Sequence, residues 1–214
     1  MFGNGLLSAL AIPERWGKSV PSIADQSFPT PKAALRAFGA DAELTPGKRA
    51  PLMDVDLGDG KDGRGRLSSE AHALMPASRD DQFSISIRHG TFSHRSDIMR
   101  RPAFQQLVVN FKAETGGDGQ QTWRVSDLDY RCTTDMMQPV TLSRSDLGDK
   151  GFSRVVDEAA KLVMVGRNTG AEHRMDDHGM EINAVARPAA YDLMNAANDK
   201  RDPAPTPVAG AAAA

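Results

Sequence analysis

The sequence contains a single cysteine and no long apolar run. Cys132 alone cannot close a disulfide within the chain, and so little cysteine is typical of a reducing compartment. The apolar stretch near the start, in MFGNGLLSALAIPERWG, covers only about seven residues, which is too short for a signal peptide or a membrane span. We therefore expect a soluble cytoplasmic protein with no membrane span.

The sequence also lacks an excess of charge of either sign. Its 26 Lys and Arg residues are offset by 28 Asp and Glu residues, so the formal net charge is −2. This balance excludes a chain that coats nucleic acid or an anionic membrane along its whole length. Any binding to a polyanion must then come from a local patch.

Catalytic and cofactor motifs are missing too. The sequence has no G-x-S-x-G elbow, no Walker loop, no H-E-x-x-H and no paired C-x-x-C. The run GDGKDG at 58–63 formally matches the dinucleotide fingerprint G-x-G-x-x-G, but its two aspartates would repel phosphates. The overlapping stretch DVDLGDGKDGRG lacks the bidentate Glu that closes a calcium loop. We expect no cofactor.

The middle of the chain has the two-residue periodicity of β-strands. Apolar and polar residues alternate in QFSISIRHG. A hairpin over about 104–133 follows, in which the turn formers TGGDGQ separate FQQLVVNFKAE from TWRVSDLDYRCTT. Within the later strand the apolar residues change parity near Ser126 and Asp127, which predicts a β-bulge.

One long amphipathic helix is predicted at 150–166, in KGFSRVVDEAAKLVMVG. Its apolar residues recur at helical spacing and form one broad stripe: Phe152, Val155, Val156, Ala159, Leu162 and Val163. A further short strand is predicted at 180–183, and a last helix begins at Pro188. The element order predicts an α+β fold, in which this helix covers a small antiparallel sheet of about three to four strands.

Long extensions surround this predicted core. We divide the chain into an N-terminal arm with a short helix at 1–39, a flexible linker or loop at 40–82, the α+β core at 83–200 and a disordered tail rich in proline and alanine at 201–214. The linker is inferred because its residues show no sustained periodicity of either kind.

The arm carries the signals of a short capped helix. Thr30 is the expected N-cap, Pro31 occupies the first helical position, and Gly39 follows the end. Leu35 and Phe38 lie three residues apart and share a face. A helix this short needs a partner surface, so we predict that these two residues form a protein interface, either with the chain's own core or with another chain.

A local basic stretch lies at RHGTFSHRSDIMRRPAF. It carries arginines, histidines and phenylalanines, the residue types that bind phosphates and stack on bases. The predicted polyanion or nucleic-acid site consists of Arg88, His89, His94, Arg95, Arg100 and Arg101. A solvated basic loop, or a loop that meets an acidic protein, is the alternative interpretation.

The segment AEHRMDDHGMEI clusters potential metal ligands. His173 and His178 are five residues apart and would diverge on a helix, and they would lie on opposite faces of a strand. Only His173 and Asp177 would share a helical face, and Asp176-Asp-His-Gly179 is typical of a turn. We expect no metal, with His173, Asp177 and His178 as the ligand set of the alternative hypothesis.

The preferred hypothesis is a non-enzymatic structural or binding subunit of a larger protein assembly. Arms with short capped helices suit docking between neighbours, as in virion, secretion or conjugation machinery. We expect other protein subunits as partners and an oligomeric state. The first alternative is a nucleic-acid-binding accessory protein that uses 88–101, and the second is a metal-dependent hydrolase that uses 173–178.

Overall fold

The computed structural model describes residues 21–59, 66–92, 105–117, 119–132, 139–168 and 192–201. Its elements are a 3-10 helix at Ile23–Asp25, α1 at Pro31–Ala37, β1 at Arg49–Asp59, β2 at Arg66–Leu74, β3 at Gln82–Phe92, β4 at Gln105–Thr115, β5 at Gln121–Cys132, β6 at Val140–Leu142 and α2 at Arg144–Asn168. Residues 192–201 are helical as well and are called α3. The predicted strand at 180–183 lies outside the described residues.

The six strands form one antiparallel sheet in chain order, from β1 to β6. The α+β class and the hairpin, which is β4 and β5, are confirmed. The prediction of three to four strands is wrong, because β1 and β2 come from the segment interpreted as a linker and the short β6 follows β5 where no strand is predicted.

The sequence pattern of these two strands is weak for a physical reason. A register shift between Pro51 and Met53 breaks the alternation in β1. In β2 the buried positions hold only small side chains, namely Ser69, Ala71 and Ala73. Alternation of small with polar residues produces little hydrophobic contrast, so a two-residue period is hard to recognise.

The predicted bulge in β5 is confirmed. Asn110 pairs with Asp127 and the next residue of β4, Phe111, pairs with Val125, so that Ser126 is the extra residue. The bulge returns Val125 and Leu128 to the same, buried face of the sheet.

Helix α2 packs across the buried face of the sheet, from β6 at its start to β1 at its end. The whole predicted stripe is buried, and Phe152, Val155, Val156 and Val163 have no exposed surface. Gly148, with φ of 68°, interrupts the helical backbone near the start, a conformation that glycine adopts without steric cost. Near the other end, Gly166 lies against Met53 of β1.

The described part of the N-terminal arm, residues 21–39, docks on the same buried face beside α2. Thr30 caps α1 by accepting a hydrogen bond from the Ala33 amide, and Gly39 follows the helix with φ of 71°, as predicted. Leu35 and Phe38 are 0% exposed. The Phe38 and Phe111 rings form a T-shaped pair, and Phe111 itself stacks on Phe83 with 4.5 Å between ring centroids. Aromatic contacts of this kind stabilise the centre of the core.

Polar contacts fix the arm and α3 along α2. Ser22 and the Ile23 amide both donate to the Asp157 carboxylate, at 3.0 and 2.9 Å. At the two ends of α3, Arg154 pairs with Asp192 and Lys200 pairs with Asp146. The helical layer therefore consists of α2 with the arm and α3 tied to it, all on one side of the sheet.

Candidate binding surface on the outer face of the sheet

The sheet has a second face, opposite α2, on which none of the described helices lies. We call it the outer face. The cross-strand register assigns to it Arg49, Asp54, Glu70, His72, Leu74, Ser84, Ser86, Arg88, Gln106, Val108, Asn110, Asp127, Asp129 and Arg131. An antiparallel sheet commonly buries one face and leaves the other to water, with polar residues at alternate positions. The outer face follows that pattern across β1 to β5.

Two cross-strand rows on the outer face carry charges at both ends. The first row runs from Arg49 on β1 through Leu74, Ser84 and Asn110 to Asp127 on β5. Its positive end is therefore at β1 and its negative end at β5.

The second row reverses this polarity. It runs from Asp54 on β1 through Glu70, Arg88 and Gln106 to Arg131 on β5. Arg49, Asp54 and Arg131 are exposed, and within the described residues none of the three forms an ion pair. These charges are free to meet a partner.

An acidic cluster lies at the β5 side of the outer face. The Asn110 side-chain amide donates to Asp127 at 2.6 Å and to Asp129 at 2.9 Å. Thr141 donates to the other oxygen of Asp129, and Ser126 donates to the other oxygen of Asp127. All four carboxylate oxygens therefore accept a hydrogen bond, which fixes both side chains in place.

The central strands carry a mixed group of charges. Arg88 donates to Glu70 at 3.2 Å across β3 and β2. His72 lies in the next row, and partial burial together with the Arg49 charge lowers its pKa from the usual 6.5. Glu70 opposes this lowering and Arg88 adds to it. His72 is therefore harder to protonate than a free imidazole.

Most of the predicted polyanion site lies outside the described residues, namely His94, Arg95, Arg100 and Arg101. His89 belongs to β3, and Arg88 lies on the outer face in its ion pair with Glu70. The predicted interface residues Leu35 and Phe38 are buried in the chain's own core. The alternative metal ligands His173, Asp177 and His178 lie outside the described residues.

Among the described residues, no group of three or more His, Cys, Asp and Glu side chains is placed to hold a metal ion. Within the same ranges, no helix combines the length and the apolar character that crossing a bilayer requires.

Sequence patterns alone do not reveal the charged rows. Arg49 and Asp54 lie in the segment predicted to be a linker, and Asp127 and Arg131 lie in a predicted strand without any motif. The charges alternate with apolar residues, which marks the exposed side of each strand. Only the register of all five strands shows that they line up in rows.

No family model, no curated protein and no solved structure matches this chain. Function must therefore be inferred from the geometry and chemistry of the outer face.

Proposed function

We propose that this protein is a non-enzymatic structural or binding subunit of a larger protein assembly, and that it binds other subunits through the outer face. The observation that carries the proposal is the shape of this face, a broad sheet surface built from long strands. Sites for small substrates are concave and mostly apolar. A broad polar surface with fixed charges suits a macromolecular partner.

The free charges support the same conclusion. Exposed side chains such as Arg49 and Arg131 contribute little to the stability of an isolated chain. Across an interface, the same charges steer the partners together and select the correct register. The fixed carboxylates of Asp127 and Asp129 need little further ordering before they bind a cation of a partner.

The proposed location is the cytoplasm or another reducing compartment. A single cysteine, Cys132, is consistent with a chain that needs no disulfide.

The mass of the purified particle tests the proposal. The chain has a mass of 23.0 kDa, and we expect light scattering after gel filtration to show a larger, homogeneous particle at moderate ionic strength. High salt should shift the particle towards the monomer, because it screens interface charges. A monomer at every concentration and salt level, with no protein partner retained through purification, would refute the proposal.

Nucleic-acid binding is a second candidate, favoured by one observation. Arg88 and Arg131 are exposed in the same row of the outer face, so two guanidinium groups point towards the same side. Titration of single- and double-stranded oligonucleotides across a salt series tests it. Binding that weakens as salt rises, and that Arg131→Gln reduces, would support this candidate. Binding that is absent or indifferent to salt would refute it.

A further inference from the structure

We propose that the outer face binds a second copy of this chain, stacked face to face, with a two-fold axis that runs along β3. The inference deepens the proposed function and rests on it, because it names the partner of the same surface. In this arrangement β3 of one copy lies over β3 of the other, and β1 of each lies over β5 of the other. Aligned packing of two sheets is a common architecture.

The charge pattern is self-complementary under this rotation. A two-fold axis along β3 exchanges the β1 and β5 ends of each row and leaves the rows in place. Arg49 then faces Asp127 of the second copy in the first row, and Asp54 faces Arg131 in the second. Each contact occurs twice, as an isologous interface requires, so four ion pairs form and no like charges meet at the corners.

The middle of the outer face allows close approach on the proposed axis. Ser84 and Ser86 are the β3 residues of the first row and of the row beside it, and both have small side chains. On either side of Ser86 lie His72 and Val108, which the rotation brings opposite each other. The centre of the proposed interface is therefore less charged than its rim, as is usual in protein interfaces.

One pair of like charges lies on the proposed axis. Arg88 of β3 would face Arg88 of the second copy, but each guanidinium already pairs with Glu70 of its own chain at 3.2 Å. The two ion pairs together form a neutral group of four charges. Repulsion between the arginines is offset by the carboxylates beside them.

The size of the outer face fits a stable dimer. Strand spacings of ~4.8 Å across the sheet and a rise of ~3.4 Å per residue give a face on the order of 700 Å² per copy. A standard protein interface buries about 800 Å² per partner. The outer face is therefore large enough to hold a second copy without help from other elements.

The inference is tested by reversing the charges of Arg49 and Asp127, first one at a time and then both together. Sedimentation velocity on the full chain would measure the dimer dissociation constant for the wild type, Arg49→Glu, Asp127→Arg and the double variant. Each single reversal places like charges opposite each other twice and should weaken the dimer roughly tenfold or more. The double variant restores opposite charges and should recover most of the loss. Lys161→Glu is the matched control, because Lys161 is exposed on α2, in the other layer.

The outcomes separate this inference from the proposed function. Weakening by both single reversals, recovery in the double variant and no effect of Lys161→Glu would support it. If the particle is larger than a monomer and its size is unchanged in every outer-face variant, the stacked dimer is overturned and the assembly role remains intact. A strict monomer that retains no protein partner would overturn both. Because Arg49 is exposed at an edge strand, an unfolding temperature equal to that of the wild type, measured at a concentration where both are monomeric, excludes misfolding as the cause.

Discussion

Gly166 of α2 and Met53 of β1 lie so close together that a methyl group added to the glycine would overlap the methionine sulfur. Both residues are buried. The contact brings the end of α2 down onto the first strand, so that the helix packs across the sheet from β6 to β1. The absence of a side chain at Gly166 thus permits the close approach of the two layers at this point.

We expect Gly166→Ala to lower the free energy of unfolding by about 1–3 kcal/mol, because an overfilled core must shift its neighbours. Gly151→Ala is the matched control in the same helix. A methyl group there meets only Leu147, at an ordinary 3.6 Å, and should stabilise the helix by about 0.5–1 kcal/mol. Urea denaturation of both variants measures the contrast. Equal effects of the two substitutions would contradict the close contact.

The arm should behave as part of the chain's own core. Phe38 is 0% exposed and touches Phe111, so Phe38→Ala should cost about 3–5 kcal/mol of unfolding free energy. Arg36→Ala, on the exposed side of the same helix, removes only a surface ion pair with Asp41 and should cost less than about 1 kcal/mol. A Phe38→Ala variant as stable as the wild type would show that the arm does not dock as described.

The contact between α3 and the start of α2 should depend on pH in the acid range. Hydrogen bonds from Lys200 and Ser143 lower the pKa of Asp146 from the ordinary 3.8 to about 2. A carboxyl whose folded pKa is depressed stabilises the fold above its unfolded pKa, and this stabilisation disappears as pH falls through the folded value. The contribution should therefore be complete above about pH 4 and lost towards pH 2.

Asp146→Asn should remove about 1 kcal/mol at neutral pH, a modest amount because the site is partly exposed. It should also flatten the dependence of stability on pH between about 4 and 2. Asp199→Asn is the control, since Asp199 is an exposed acid of α3 without an ion pair in the described part of the chain. Thermal unfolding across that pH range checks the prediction, and identical profiles for the two variants would count against it.

The environment of His72 provides a spectroscopic test of the outer face. Its pKa should lie below 6.5 in an NMR titration, because burial disfavours the imidazolium and Arg49 repels it. Replacing Arg49 by Gln should raise the pKa, whereas Lys161→Gln, on the opposite layer, should leave it unchanged. A His72 pKa above 6.5, or a pKa that is the same in the wild type and in Arg49→Gln, would contradict the described environment of His72.

Much of the fold could be predicted from local patterns. Helix α2, the hairpin of β4 and β5, the bulge at Ser126 and the capped helix α1 each follow from a strong periodicity or a turn signal within one segment. Strands β1 and β2 are not evident from the sequence because small core residues and a register shift blur their alternation, and β6 spans only three residues. Their assignment depends on partners that are distant in the sequence.

The candidate site was harder to predict than the fold. Arg49 and Asp127 are 78 positions apart in the chain, and they share a row only because four strand pairings align them. Motif searches detect residues that are close in sequence, as in the histidines and aspartates of 173–178. An interface made of single charges on successive strands produces no such motif.

Covalent cross-linking across β3 tests the stacked outer face most directly. In a Cys132→Ser background, Ser84→Cys places one thiol near the proposed axis, where stacked sheets would separate the two copies by ~10 Å. A short bismaleimide should then yield a covalent dimer at high efficiency. A salt concentration that dissociates the dimer should abolish this cross-linking. Lys161→Cys, on the helical layer, should give little product. Efficient cross-linking through Lys161→Cys with none through Ser84→Cys would contradict the account.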